Sequence, residues 1–275
     1  MRFLLSSGSL WTYGLERCFA LAAAVGFDGL ELLVDQRWDT RQVDYVRGLI
    51  KRHRLPVLAV HSPFALQVPG WPTDQPRRLQ RATALAAALE ADVVVHHLPA
   101  RIGYTWVQTP HRRIAFPLPH RPDAPYRRWL EQEYEVFCRR TAPKLAIENM
   151  PAYRRFGRRW NIWHWNTPEE LRRFRHITLD TTHLGTWGLD PGLVFNQLAG
   201  RVTHIHLSNF DGQEHRPLKE GQLRLDQFLM QLKQAHYGGH VTLELEPDGL
   251  AAGQPDQQVL ERLTENLDFC HRWTG

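Results

Sequence analysis

The sequence contains few cysteines, and their arrangement argues against the usual structural uses of thiols. Cys18, Cys138 and Cys270 are far apart, are odd in number and belong to no C-x-x-C pair. Neither a disulfide framework nor a thiolate zinc site is therefore indicated. Each cysteine falls in a helix-like segment, where a buried and inert thiol is the expected state.

The sequence also lacks a long apolar run. No stretch approaches the roughly 18 apolar residues that a membrane span requires. Residues 1–8 form too short an apolar run for a signal peptide and have no cleavage pattern. We therefore expect a cytoplasmic protein with no membrane partner. No G-x-G-x-x-G follows any predicted strand, which argues against a dinucleotide-binding fold.

What is present is the composition of an ordinary globular protein. The 275 residues are 43% hydrophobic and 23% charged, so nothing suggests disorder. The net charge of +5 weakly favours anionic partners, such as sugar phosphates or nucleic acid.

Short apolar runs alternate with longer amphipathic segments along the whole chain. The runs are rich in Val, Ile and Leu, as expected of parallel strands that are covered on both faces. They are residues 3–6, 29–34, 57–61, 92–96, 145–149, 177–180, 202–207 and 240–246. Eight strands alternating with helices predict an α/β fold, a single (β/α)₈ TIM barrel over residues 1–275.

The segments between the runs supply the helices and two long loops. Thr167-Pro168-Glu169-Glu170 marks a helix start with an N-cap, a first-turn proline and a capping-box glutamate. The loops, about 98–125 and 150–166, exceed the usual length of about 4–6 residues. Both follow strands, so both would lie over the active-site face as lids or binding elements. Other predicted helices are 15–25, 41–54, 76–90, 126–141 and 223–236.

Six successive predicted strands, the third to the eighth, each deliver a His, Asp or Glu to the same end of the barrel. Taken singly, a His at a strand end is more often a hydrogen-bonded structural residue than a ligand. Together, such groups would repel one another or suffer desolvation unless a cation joined them. We therefore predict a shared divalent metal ion, for which these donors suit Mn²⁺, Zn²⁺, Co²⁺ or Mg²⁺. The residues at these strand ends are His61, His96 with His97, Glu148, Asp180, His204 with His206, and Glu244 with Glu246, and His183 lies three residues after Asp180.

At these residues the sequence resembles the xylose isomerase-like barrel superfamily, which holds sugar isomerases and epimerases and also endonuclease IV. The resemblance runs the full length of the chain, through short motifs whose order and spacing are together fairly specific. They are Gly26-Phe27-Asp28-Gly29-Leu30-Glu31-Leu32, His61-Ser62-Pro63, Glu148-Asn149, Leu179-Asp180-Thr181-Thr182-His183, His204-Ile205-His206-Leu207 and Tyr237-Gly238-Gly239-His240-Val241-Thr242-Leu243-Glu244.

The resemblance to the isomerases and epimerases implies one metal and its ligands. Matched motif by motif, the ligands are Glu148, Asp180, His206 and Glu244. Glu246 is the rival of Glu244, because it shares the same strand face and lies nearer the top of the barrel. The spacing from the preceding glycines favours Glu244.

The same resemblance implies proton transfer at a carbon next to a carbonyl, through a metal-stabilised enediolate. Glu148 and Glu244 would be the catalytic residues, one removing the proton and the other returning it. His183 resembles a substrate-contacting residue of the family. Glu31 would either contact the sugar or be structural.

The resemblance to endonuclease IV supplies the alternative function, a zinc-dependent phosphodiesterase that acts on abasic DNA. Two departures argue against a full three-zinc site. Gln213 stands where an aspartate is expected two residues before His215, and Lys219 replaces the first glycine of a G-E-G turn. The residues that match ligands of additional metals are His61, His96, His183 and His215.

The long loops bear on the choice of substrate, since both mix arginines with aromatic residues. Such a mixture suits stacking on bases, binding of a sugar phosphate, or a lid packed over its own barrel. Because the basic residues cluster beside the pocket, a small sugar or sugar phosphate is favoured over nucleic acid. Arg154 and Trp160 are the candidate substrate-binding residues of the second loop. The first loop carries Tyr104, Trp106, Arg112, Arg113 and Phe116.

A third class is a barrel that binds a ligand without catalysis. The retained carboxylate pair of Glu148 and Glu244 argues against it, since a binding module need not keep an acid and a base. Family members are often dimers or tetramers. The resemblance therefore allows a homo-oligomer, although no exposed apolar stripe argues for one independently.

Overall fold

The computed structural model describes residues 1–65, 67–102, 104–108, 113–117, 124–155, 157–198 and 200–275. Arg112 and the side chains of Tyr104, Trp106, Arg113 and Phe116, which the sequence singles out, lie outside this described part.

Eight parallel strands close into a barrel, as the sequence predicts. They follow one another around the barrel in chain order, and the last pairs with the first. They are β1 (Arg2–Ser6), β2 (Gly29–Leu33), β3 (Val57–His61), β4 (Val93–His97), β7 (Lys144–Glu148), β10 (Ile177–Asp180), β11 (Val202–Leu207) and β12 (His240–Leu243). Two antiparallel hairpins lie in the long loops, β5 (Tyr104–Gln108) with β6 (Arg113–Pro117), and β8 (Tyr153–Arg155) with β9 (Arg158–Trp160).

Helices connect the strands and cover the outside of the barrel. None of those within the described ranges combines the length and apolar character needed to span a membrane. They are α1 (Leu15–Val25), α2 (Val43–His53), α3 (Gln75–Ala88), α4 (Ala124–Gln132), α5 (Tyr134–Arg140), α6 (Pro168–Leu171), α7 (Thr181–Trp187), α8 (Pro191–Leu198), α9 (Leu225–Gln234) and α10 (Asp256–Thr274), with a short 3₁₀ helix at Asp39–Arg41.

The observed elements differ from the predicted ones mainly at their ends. The last strand ends at Leu243 rather than at residue 246, so Glu244 follows the strand directly. The fourth strand is shifted by one residue and includes His97. The helix predicted over 126–141 is divided into α4 and α5. The capping box at the start of α6 is present, with the Glu170 N–H donating to Thr167 Oγ1 at 3.2 Å.

Successive side chains of a strand point to opposite faces of the sheet. The barrel strands therefore contribute to two buried regions, one between the strands and the helices and one inside the barrel. One set of positions packs against the helices in a large apolar cluster. The other set points into the barrel, where Ala59, Val93, Val95 and Ala146 belong to a smaller cluster. Four inward positions on the remaining strands are polar, and all four are fully buried. They are Glu31, Thr178, His204 and Thr242.

Arg78 connects the loop after β3 to helix α3 through hydrogen bonds. Its side chain is buried in α3, and its guanidinium donates to the backbone carbonyls of Pro63, Ala65 and Pro72 at 3.2, 2.7 and 2.5 Å. These carbonyls belong to the loop that begins at His61, so the contacts hold the polar end of β3 in place.

Replacement of Arg78 by methionine is therefore expected to lower the free energy of unfolding by about 2–3 kcal/mol, because several buried carbonyls lose a charged donor. The measurement is urea-induced unfolding followed by circular dichroism. Arg77→Met is the matched control, since Arg77 is exposed on the same helix turn; its change should stay within about 0.5 kcal/mol. Equal effects of the two replacements would contradict the role assigned to Arg78.

Candidate active site

Four acidic and imidazole side chains meet where β7, β10, β11 and β12 end. Their donor atoms lie within 4.8 Å of one another. His206 is central: its Nδ1 lies 2.8 Å from Glu244 Oε2, 3.1 Å from Glu148 Oε1 and 3.8 Å from Asp180 Oδ2. Glu244 is the most open of the four, with 21% of its side chain exposed to solvent. This metal-donor group, Glu148, Asp180, His206 and Glu244, coincides with the ligands that the resemblance implies.

The charges in the metal-donor group are poorly balanced by the protein alone. Burial, together with the nearby charges of Glu148 and Glu244, raises the pKa of Asp180 against the opposing effect of His183 and His215. Burial would also raise the pKa of Glu244, but His206 outweighs it and lowers that pKa to about 2. Three carboxylates thus crowd around one imidazole in a buried space.

One oxygen of the metal-donor group lacks a hydrogen-bond partner within the described part of the chain, as expected of a ligand to a divalent cation. Asp180 Oδ2 is buried and finds no hydrogen-bond partner among the described residues, an unfavourable state for a carboxylate oxygen unless a positive charge lies nearby. Carboxylate oxygens with an imidazole nitrogen form the donor set of Mn²⁺, Co²⁺, Zn²⁺ and Mg²⁺ sites. The residues that could hold such an ion are those of the metal-donor group.

Asp180 is held by contacts that leave one of its oxygens free. Its Oδ1 accepts from the His183 N–H at 2.8 Å, which caps the start of α7. The Asn149 side chain pairs with the Asp180 backbone, accepting from its N–H at 2.7 Å and donating to its carbonyl at 3.1 Å. These contacts therefore fix the orientation of Asp180, and its Oδ2 points towards the other residues of the metal-donor group.

A second set of donors shares Glu148. His61 Nε2 and His97 Nε2 lie 3.4 and 3.3 Å from Glu148 Oε2, while Oε1 faces His206. The exposed ring of Phe64 stacks on His97, with ring centroids 5.5 Å apart. One carboxylate thus joins two clusters of possible ligands.

The structure brings His97 to this second set and does not bring His96. His97 lies two and four residues after Val95 and Val93, which face the barrel interior, so it points inward as well. His96 points to the other face, where its ring packs on Tyr126 and its Nδ1 contacts Ser62 Oγ. The expectation of His96 came from matching it to a ligand of endonuclease IV. His97 takes the inward position instead, because a shift of one residue along a strand reverses the face to which a side chain points.

A third set joins Asp180, His183 and His215. His183 Nδ1 lies 2.8 Å from the Asn149 carbonyl, and its Nε2 lies 3.7 Å from the Glu214 carboxylate. His215 Nδ1 lies 3.1 Å from the Glu244 carbonyl oxygen. Glu214, which the sequence reasoning missed, thus supplies a carboxylate near the place where Gln213 lacks one.

Four other predicted residues lie outside these donor sets or on the loops. Glu246 belongs to none of the donor groups found in the described residues, and its N–H donates to the His215 carbonyl. Glu31 is 0% exposed inside the barrel, out of reach of a substrate. Arg154 and Trp160 lie exposed on the β8–β9 hairpin; Arg154 sits over the Phe210 ring, and Trp160 is 53% exposed.

Comparisons with known proteins match this architecture. The family model described as a xylose isomerase-like TIM barrel matches residues 19–270. An uncharacterized protein of Mycobacterium leprae is 26% identical, over 98% of this chain and 96% of its own. The E. coli 3-keto-D-glucoside 4-epimerase has a similar fold, with a TM-score of 0.68, 17% identity and coverage of 98% and 99%. So has a family 2 AP endonuclease of Brucella melitensis, with a TM-score of 0.65, 16% identity and coverage of 91% and 96%.

Addition of a divalent cation is expected to stabilise the protein through Asp180. At a Mn²⁺ concentration of about 100 times Kd, the free energy of unfolding should rise by about 2.7 kcal/mol. Asp180→Asn should remove this increase. Without metal, the variant should be at least as stable as the natural protein, because it keeps the Oδ1 acceptor and loses a carboxylate from a crowded site.

Thermal unfolding with and without a chelator measures both effects. An equal stabilisation of the two proteins by Mn²⁺ would show that the cation binds elsewhere.

Proposed function

Because this chain belongs to the xylose isomerase-like TIM barrel family, we propose that it is a divalent-metal-dependent isomerase or epimerase of a sugar or sugar phosphate. The observation that carries the proposal is the pair Glu148 and Glu244. Both carboxylates contact the same nitrogen of His206 within one metal-donor group. A pair of carboxylates beside a cation site is what proton removal and proton return require.

Both carboxylates start in the ionised form that a base requires, although a lowered pKa makes each a weaker base. Burial would raise the pKa of Glu148, but His206, His61 and His97 outweigh it and lower that pKa well below its usual value. With the pKa of Glu244 lowered to about 2, both groups are ionised near neutral pH. Either can take a proton from the substrate carbon and is then itself protonated. The other can return a proton from its own side after it has taken one from water. In an epimerase the new proton would come from the second face.

The cation and the burial of the group would make this proton transfer favourable. A divalent cation held by Glu148, Asp180, His206 and Glu244 would polarise a substrate carbonyl and offset the negative charge that develops as the proton leaves. Glu148 is almost fully buried, whereas Glu244 is partly open. Glu148 therefore works away from water, and Glu244 lies on the side from which a substrate enters.

The hairpin β8–β9 supports a small polar substrate. Arg154, Arg158 and Trp160 are exposed on this short element, which follows the strand that carries Glu148. An arginine there can bind a phosphate or hydroxyl oxygen, and a tryptophan can stack on a sugar ring. We propose that this hairpin contacts the end of the sugar remote from the reacting carbon.

Replacement of Glu148 by glutamine is expected to lower turnover by about 10²–10⁴-fold, because one proton-transfer group is lost, while the circular dichroism spectrum stays unchanged. A panel of ketohexoses and their phosphates can be incubated in D₂O with Mn²⁺, and deuterium incorporation followed by proton NMR. This readout detects proton abstraction whichever sugar reacts.

His96→Gln is the matched control, since His96 is equally buried on the neighbouring strand but faces away from the site. It should keep most of the exchange activity. Unchanged exchange in Glu148→Gln would remove the central residue of the proposed mechanism.

A second candidate function is favoured by the sharing of Glu148 between two donor sets. A carboxylate with His61 and His97 on one oxygen and His206 on the other could bridge two cations, and paired cations suit phosphodiester hydrolysis. The fold likeness to a family 2 AP endonuclease is compatible with an endonuclease that acts on abasic DNA.

Metal counting separates the two candidates. We expect one Mn²⁺ or Mg²⁺ per chain by inductively coupled plasma mass spectrometry, and no incision of a duplex that contains an abasic site. Two or three Zn²⁺ per chain together with metal-dependent incision would instead establish the phosphodiesterase. If the natural protein does incise, His61→Gln should abolish incision but leave the cation of the metal-donor group bound.

A further inference from the structure

Glu31 is a buried carboxylate that the proposed proton transfer does not use. It lies on β2, which only β1 separates from β12, and is 0% exposed. Its Oε2 lies 2.6 Å from His204 Nε2 and 3.1 Å from His206 Nε2, and it accepts from Thr242 Oγ1 at 3.1 Å. Burial of a carboxylate destabilises the folded state unless hydrogen-bond donors or a positive charge replace the lost water. Three buried polar side chains, His204, His206 and Thr242, therefore contact this one carboxylate.

The contact with His206 links Glu31 to the metal-donor group. The two nitrogens of the His206 ring face opposite ways: Nε2 lies 3.1 Å from Glu31, and Nδ1 faces Glu244 at 2.8 Å and Glu148 at 3.1 Å. A ring bound at both ends cannot rotate without losing one of these contacts. A neutral imidazole carries one proton, and the nitrogen that keeps it is set by the partner of that nitrogen.

We propose that Glu31 is a positioning residue, which accepts the Nε2–H of His206 and thereby leaves Nδ1 free to bind the cation. The inference rests on the proposed metal centre and explains how the barrel interior prepares it. Histidines that bind metals commonly donate their second N–H to a carboxylate, which fixes the tautomer and the ring orientation. His204 and Thr242 hold Glu31 itself from the side away from the substrate.

The alternative is that Glu31 serves only the packing of the barrel interior. In that case its replacement would alter stability but not the cation affinity of the folded protein or the tautomer of His206. A second alternative is that Glu31, His204 and His206, whose donor atoms also lie close together, bind a cation of their own.

The test measures Co²⁺ binding by isothermal titration calorimetry in natural protein and in Glu31→Gln. A glutamine keeps the volume and an acceptor oxygen but lacks the charge and offers a competing donor. The expected result is a loss of affinity of about 10–100-fold. The matched control is Asp92→Asn, which weakens another carboxylate–histidine pair, with His240 at 2.8 Å, that does not touch the metal-donor group. Its Co²⁺ affinity should stay unchanged.

A second readout observes His206 in the natural protein itself, and a variant serves only to assign its signals. Nitrogen-15 NMR of the Zn²⁺-loaded protein, with the ring signals assigned through His206→Gln, should show the His206 proton on Nε2, strongly shifted downfield by a carboxylate partner. A proton on Nδ1, or an Nε2–H without such a shift, would overturn the inference. So would unchanged Co²⁺ affinity in a folded Glu31→Gln protein, or the loss of one of two bound Co²⁺ ions with the other unaffected.

These outcomes are separable from a failure of the proposed function. If the natural protein and Asp180→Asn bind Co²⁺ equally, the metal centre is wrong. If only Asp180→Asn loses binding, the metal centre stands and the role of Glu31 is refuted.

Discussion

The contact between His206 and the carboxylates around it is the interaction on which the candidate site depends. One imidazole touches Glu148 and Glu244 through Nδ1 and Glu31 through Nε2, so four strands of the barrel meet at a single ring. Such a concentration of negative charge in a buried space requires a positive partner. In the metal-free protein the carboxylates supply it by raising the pKa of His206 well above its usual value, against the effect of burial.

The barrel makes this arrangement possible by dividing its interior. On β3, β4 and β7 the lower inward positions are small or apolar, as Ala59, Val93, Val95 and Ala146. On β2, β10, β11 and β12 the corresponding positions are polar, as Glu31, Thr178, His204 and Thr242, whereas Leu4 of β1 belongs to the apolar cluster. Parallel strands bring the next inward residue of each to the same rim. The apolar side chains pack together below the site, and the polar side chains contact the groups that would hold and orient a cation.

The shared carboxylate of Glu148 explains why one framework suits both a sugar isomerase and a phosphodiesterase. Its Oε1 belongs to the metal-donor group and its Oε2 to His61 and His97. With a single cation, the two histidines would hold the ionised carboxylate in place for proton transfer. With more cations, the same histidines would become ligands. The fold alone does not separate the two candidates, since a 3-keto-D-glucoside 4-epimerase and a family 2 AP endonuclease both have a similar barrel.

The barrel and most of the metal-donor group could be predicted from the sequence. The eight apolar runs and their polar ends were enough to place Glu148, Asp180 and His206 on one rim, and spacing favoured Glu244. The three-dimensional contacts were needed to distinguish His97 from His96, to place Glu31 beside His206, and to bring Glu214 near His183. The reason is that inward and outward positions alternate along a strand. An error of one residue at the end of a strand reverses the side chain that faces the site, and contacts across the barrel depend on how all eight strands are registered.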